Sequence, residues 1–187
     1  MLFRSKKRLP NKNSKWIKIL KKKSAKPNSH HFFNIKNKSI FTHVKLNIFP
    51  DGGVARIRIY GDMKINKKFG KKIINLTSVL NGATPIACNN EHFGRAENIL
   101  APGMGKNMGD GWETRRSRGK NFDWLIIKCA VAGKINKIQI DTHHFKGNYP
   151  DKCSIQAALI DKKISSRAIV NNSKKWKIGR ASCRERV

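Results

Sequence analysis

Apolar and polar residues alternate most strictly between residues 42 and 60. Thr42, Val44, Leu46 and Ile48 fall on one side, with His43, Lys45 and Asn47 on the other. That period of two gives an extended chain one buried face. Pro50-Asp-Gly-Gly53 supplies turn chemistry, and Ala55, Ile57 and Ile59 then alternate with Arg56, Arg58 and Tyr60. The pattern predicts a β-hairpin, two strands joined by that turn. Two more strands are predicted over 124–130 and 134–142, divided at Gly133, with Ile138, Ile140 and Thr142 facing one way and Lys137, Gln139 and Asp141 the other. A last strand over 153–159 puts Cys153, Ile155 and Ala157 on one side. Residues 61–70 read as a linker, 73–82 as a helical turn or an irregular crossing, and 84–93 as a polar approach to the next unit. The stretch 104–120 is rich in glycine and charge, an ordered loop. Residues 1–39 are polar and Lys-rich, with weak apolar islands at 16–20 and at Phe32-Phe33. Recurrent short strands, with no βαβ alternation and no glycine-rich phosphate loop, predict an all-β fold, an antiparallel β-sandwich.

Composition narrows the setting. A hydrophobic share of 39% and four Trp in 187 residues suffice for a packed core. No run approaches the roughly 20 apolar residues needed to span a bilayer, and residues 1–23 lack the apolar stretch of a secretory signal. A soluble, cytoplasmic protein with no membrane partner is expected. The formal charge of +30 invites a nucleic-acid reading. The cations, however, are scattered, mostly Lys, among many Asn and Ile, the residues that A/T-rich codons supply. The aromatics, 8% of the chain, do not interleave with them as a stacking platform would. No specific nucleic-acid partner is expected. The cysteines, Cys88, Cys129, Cys153 and Cys183, form no C-x-x-C pair and have no His at zinc-finger spacing. Glu91 and His92 are too few to argue a metal. No cofactor is expected, and a requirement for a divalent ion stays open.

The segment 178–187, Ile-Gly-Arg-Ala-Ser-Cys-Arg-Glu-Arg-Val, resembles the translation of a short-read sequencing adapter and is set aside from fold reasoning. Near the other end, Asn13-Ser-Lys-Trp16 echoes Asn172-Ser-Lys-Lys-Trp176, with the tryptophans 160 residues apart. A domain-sized period of this kind implies two copies of one module, with the two tryptophans in equivalent positions.

Five blocks resemble the allantoicase family in order and spacing. They are Glu91-His-Phe-Gly-Arg-Ala-Glu-Asn98, Asn107-Met-Gly-Asp-Gly-Trp-Glu-Thr-Arg-Arg116, Ile140-Asp-Thr-His-His-Phe-Lys-Gly-Asn-Tyr-Pro-Asp151, Cys153-Ser-Ile-Gln-Ala157, and the whole of 41–61 around Pro50-Asp-Gly-Gly53. The resemblance runs from about Trp16 to about Leu159. It implies jelly-roll β-sandwich modules, like galactose-binding domains, two to a complete protein and joined in possible homo-oligomers. On that reading 1–61 is the C-terminal part of the first repeat, 62–72 a linker and 73–177 most of the second. The chain is then a fragment, incomplete at both ends and inactive or impaired in activity. The implied reaction splits allantoate, a carboxylate on a carbon bearing two ureido groups, into ureidoglycolate and urea.

That chemistry asks for an acid and a base to exchange protons with the leaving nitrogen and the attacking water. It also asks for a guanidinium to grip the substrate carboxylate. The loop 110–116 offers Asp110 and Glu113 as acid/base candidates, Trp112 as a wall, and Arg115 and Arg116 as carboxylate ligands. The same residues would also make a structural salt-bridge cluster. The loop 141–148 offers His144 as a titrating imidazole, with Lys146 and Asn148 as substrate contacts; the alternative is a strand-end turn. His143 and His144 point to opposite sides if extended. Asp51 is most simply a turn residue. Which candidate is the catalytic base stays open. The rival function is a non-catalytic ligand-binding β-sandwich, which calls for an exposed aromatic platform, for which Trp112 alone qualifies.

Overall fold

The computed structural model describes residues 16–63, 73–117, 121–160 and 164–174. Ten strands carry the fold: β1 (Ile17–Ser24), β2 (His30–Asn34), β3 (Ile40–Phe49), β4 (Gly53–Val54), β5 (Arg56–Met63), β6 (Ile73–Asn75), β7 (Thr84–Cys88), β8 (Trp112–Glu113), β9 (Asp123–Asp141) and β10 (Lys152–Ala158). One helix follows, α1 (Ser166–Lys174). The all-β expectation stands, and every strand pairing is antiparallel.

The 19-residue strand β9 organises the sandwich. Its first half lies between β3 and β7, with Val44 and Pro85 both opposite Ile127. Its second half lies between β5 and β2, with Ile57 and His31 both opposite Ile140. One layer therefore runs β1-β10-β3-β9-β7 and the other β2-β9-β5-β6. The side chains that alternation assigned inward, Val44, Leu46, Ile48, Ile57, Ile59, Ile138, Ile140 and Ile155, are at most 1% exposed and form one cluster. Burying each is worth about 1.5–3 kcal/mol, which is why these positions fix the register. A second cluster, Trp16, Ile126, Ala158, Ile160 and Ile169, includes a residue of α1.

Several expectations change. The strands on either side of Pro50-Asp-Gly-Gly53 are present but do not form a hairpin. They belong to different layers with β9 between them, because the connection arches across the sandwich. The strands expected over 124–130 and 134–142 are one strand that changes layer near Gly133, where neighbours on both flanks hand over. β1, β2 and β7 lie in stretches read as polar, and α1 was not foreseen. The two expected parts, 1–61 and 73–177, share one core: β3 and β5 of the first flank β9 of the second. Trp176 and residues 178–187 lie outside the described residues. Among the described residues no helix is long and apolar enough to cross a membrane.

Candidate functional site

Three connections meet at one end of the sandwich: 50–53 after β3, 113–117 after β8 begins, and 145–151 before β10. Backbone groups stitch them together. The Gly53 N–H donates to Asn148 O at 2.7 Å, and the Thr114 N–H donates to Gly52 O at 3.3 Å. The Gly52 N–H donates to the Thr114 hydroxyl oxygen at 3.1 Å. The glycines are required here. Gly52 has φ +122°, and a Cβ on Gly53 would lie 1.9 Å from the ring of Phe145. Phe145, with no exposed surface, is the plug on which the three loops rest.

These loops enclose a cleft of about 460 Å³ lined by Asp51, Phe93, Glu113, Thr114, Arg116, Ser117, Asn148 and Tyr149, among others. Of the residues the sequence singled out, Glu113, Arg116 and Asn148 come together here. Glu113 is held by both its backbone and its side chain. Its main chain pairs with Gly94 and with Gly53, and the Asn148 amide donates to Glu113 Oε1. Asp51 also faces this cleft, and the Ser117 N–H donates to its Oδ2. Sequence reasoning stops at the turn role of Asp51, because Asp in a Pro-Asp-Gly-Gly turn already has a sufficient reason to be there.

The other candidates sit elsewhere. Asp110 turns away, toward β5. Its Oδ2 accepts from Arg56 Nη2 at 2.8 Å, and its backbone carbonyl accepts from Arg56 Nη1. Arg56 is 2% exposed. The guanidinium hydrogen bond, with a further bond from the Lys106 N–H, holds the Asp110 carboxyl below its ordinary range. Trp112 has no exposed surface, and its indole N–H donates to Asn90 O at 2.8 Å. It belongs to the core, so it is not the exposed aromatic platform that the rival reading assigned to it. His143 and His144 form a turn rather than an extended pair, and their ring centroids lie 4.0 Å apart. The His144 ring nitrogen Nε2 lies 2.8 Å from Gly105 O. Lys146 is exposed beside the cleft loop. Glu91 accepts from the Ala96 N–H at 3.0 Å, at the start of a short 3-10 turn. Among the described residues no group of three or more His, Cys, Asp or Glu could hold a metal ion.

A second cleft, of about 510 Å³, adjoins the first. It is lined by Asn89, Asn90, Arg115, Arg116, Ser117, Asn121, Phe122, Asp123 and Trp124. Arg116 and Ser117 form the wall between the two. Arg115, expected beside Arg116, lines only this second space, and its Nη2 lies 3.4 Å from His92 Nδ1.

The family model described as Allantoicase repeat matches residues 3–64 and 74–180. A protein named Probable allantoicase from Photobacterium profundum is 50% identical over 153 residues, 81% of this chain and 46% of that protein. Probable allantoicase 1 from Burkholderia mallei is 43% identical over 171 residues, 90% of this chain and 50% of that protein. Probable allantoicase from Acinetobacter baylyi is 50% identical over 155 residues, 81% of this chain and 46% of that protein. The chain thus spans about half the length of the curated relatives it matches. No solved structure matches it.

Proposed function

The chain belongs to the allantoicase family, and on that premise we propose that it hydrolyses allantoate to ureidoglycolate and urea in the cleft between the 50–53, 113–117 and 145–151 loops. The observation that carries the reading is the meeting of Asp51, Glu113, Arg116 and Asn148 in one cleft. Arg116 offers a guanidinium to the substrate carboxylate, whose planar fork it matches. Two carboxylates divide the proton traffic. One takes a proton from water as its oxygen bonds to the central carbon, and the other gives a proton to the departing ureido nitrogen as the C–N bond breaks. The remaining ureido nitrogen spreads the positive charge that builds on that carbon. Glu113, oriented by Asn148, is one of the pair. Asp51, oriented by the Ser117 amide, takes the place that the sequence offered to Asp110.

Residues 1–61 are read as the end of one repeat and 73–177 as most of the next; the match in two segments, 3–64 and 74–180, supports the division, and the two parts pack in one shared core. A cytoplasmic setting is part of the same reading. Cys88, Cys129 and Cys153 are all free thiols, and burial pushes the last two up to about 12. Incubating the 187-residue chain with allantoate and measuring urea is the direct test. Slow release that saturates with substrate is the expected result for a chain spanning about half the length of its curated relatives, and urea at only the uncatalysed rate would overturn the reading.

A further inference from the structure

Phe93, on the segment between β7 and β8, lines the first cleft and is 64% exposed. A lone exposed phenylalanine on a loosely held loop is ordinary. This segment is not loosely held. The Phe93 and Gly94 N–H groups both donate to Glu113 O, at 3.1 and 3.2 Å, and the Glu113 N–H donates back to Gly94 O at 3.1 Å. Asn90 accepts from the Trp112 indole at its carbonyl and from the Arg115 N–H at its side chain. A Cβ on Gly94 would lie 2.4 Å from Gly111 O, so the backbones come this close only because residue 94 has no side chain. The Phe93 ring meets the His92 ring at 79°, with centroids 4.5 Å apart, and lies outside both core clusters. An aromatic ring is thus presented at the cleft on a backbone tied to that of Glu113.

We propose that Phe93 is a specificity-determining residue, whose ring stacks on a planar ureido group of the substrate beside Glu113. The inference rests on the allantoate reading and deepens it. Each ureido arm of allantoate is flat, because its nitrogen lone pairs delocalise into the carbonyl. Its rim carries the N–H and C=O groups, and its two faces carry none. A flat, apolar ring is the complement of such a face, and stacked planar groups gain beyond the area they cover. Asp51, Glu113, Arg116 and Asn148 are all polar and suit the rim and the carboxylate, so Phe93 supplies what they do not. The leaving nitrogen takes its proton through the lone pair perpendicular to the plane. A ring on one face leaves the other face open to the acid. A substrate analogue with a tetrahedral amine in place of the ureido group offers no such face.

Three variants separate a flat face from mere apolar bulk. Phe93→Ala removes both, Phe93→Leu keeps the bulk, and Phe93→Tyr keeps the face. KM for allantoate should rise about 3–10-fold in Phe93→Ala and Phe93→Leu, with kcat changed less, because stacking holds ground and transition states alike. Phe93→Tyr should stay within about twofold of wild type. All three should melt close to wild type, as expected for an exposed side chain. A purely structural Phe93 predicts the reverse: lower melting in Phe93→Ala and unchanged KM. Wild-type KM in Phe93→Ala or in Phe93→Leu, or a Phe93→Tyr as impaired as Phe93→Ala, would overturn the stacking. With normal wild-type turnover, each of those results leaves the allantoate reading intact. A wild-type chain that neither turns over allantoate nor binds it by calorimetry would remove both.

Discussion

At Asp110 the 106–117 loop is fixed from below by Arg56, a guanidinium 2% exposed on β5. Three residues on, Glu113 is held by Asn148, whose amide donates to it in the lining of a cleft of about 460 Å³. The two acids are near neighbours in sequence and opposite in role, and each partner comes from a different part of the chain. Arg56 needs Asp110 because a buried guanidinium without an anion is costly. Asn148 needs Glu113 far less; it positions it. Acidity in a loop is therefore a poor guide to chemistry, and the partner's burial is a better one.

The comparison breaks first at Glu113. Glu113→Gln keeps an oxygen for the Asn148 amide but cannot exchange a proton, so kcat for allantoate should fall about 10²–10⁴-fold. Stability should stay within about 1 kcal/mol, because the surrounding bonds survive. Steady-state kinetics beside a denaturant titration measure both. A variant with wild-type kcat would move the chemistry elsewhere in the cleft.

Asp110→Ala should do the opposite. Removing the anion strands Arg56, at about 3 kcal/mol, the low end for a buried pair because Asp110 is 35% exposed. The fraction that remains folded should still turn over allantoate. The sign with pH follows from the depressed carboxyl. The contribution is present above the ordinary carboxylate value of 3.8 and is lost only as pH falls through the still lower folded value. Activity collapsing in step with Glu113→Gln, in folded protein, would put Asp110 back in the site.

Acid sensitivity of the scaffold above that range should come from a third place. His43 on β3 is 5% exposed, with Thr42 Oγ1 2.9 Å from its Nδ1 and Lys128 opposite in the ladder. Burial first, and Lys128 second, lower its pKa to about 4. A base that is neutral when folded binds its proton more readily when unfolded. Stability is then complete above 6.5, declines as pH falls toward about 4, and levels off below. The gap between the unfolded and folded values makes the full decline ~3 kcal/mol. His43→Gln should flatten stability between pH 6.5 and 4.5, and an unchanged slope would assign the effect to another group.

How much of this was legible follows from where the information lies. Val44, Leu46, Ile48, Ile138 and Ile140 announce buried faces because a strand with one wet side must alternate. β1 and β2 were missed because they are largely exposed: Lys18, Lys21, Lys22 and Lys23 crowd the first, and His30 and Phe32 of the second face solvent. Pro50-Asp-Gly-Gly53 reads as a hairpin because local turn chemistry cannot say whether the chain returns beside itself or crosses to another layer. The crossing is set by β9, some 70 residues later. In the site, Glu113, Arg116 and Asn148 were legible as residue types suited to the reaction. Asp110 and Trp112 were equally suitable as types; the first pairs with Arg56 and the second is buried. Asp51, which lines the same cleft, was passed over because its place in a turn already accounts for it.

His144 is the smallest test and the most direct check on the imidazole idea. The sequence offers it as a titrating group, but its Nε2 is 2.8 Å from Gly105 O and its N–H donates to Asn28 Oδ1 at 2.9 Å. Those contacts tie the 143–144 turn to Gly105 and to Asn28, and His144 is not among the residues lining either cleft. Its φ of +71° is one that side chains rarely adopt. His144→Ala loses the ring's bond, about 1 kcal/mol, and keeps the backbone strain. His144→Gly loses the same bond but relieves the strain, so it should be the more stable of the two, by some tenths to about 1 kcal/mol. Both should hydrolyse allantoate within about twofold of wild type, with the same pH–rate profile, because the ring lines neither cleft. A pH–rate limb that disappears in both variants would show that the imidazole titrates in the reaction. The acid/base pair would then have to be redrawn to include it.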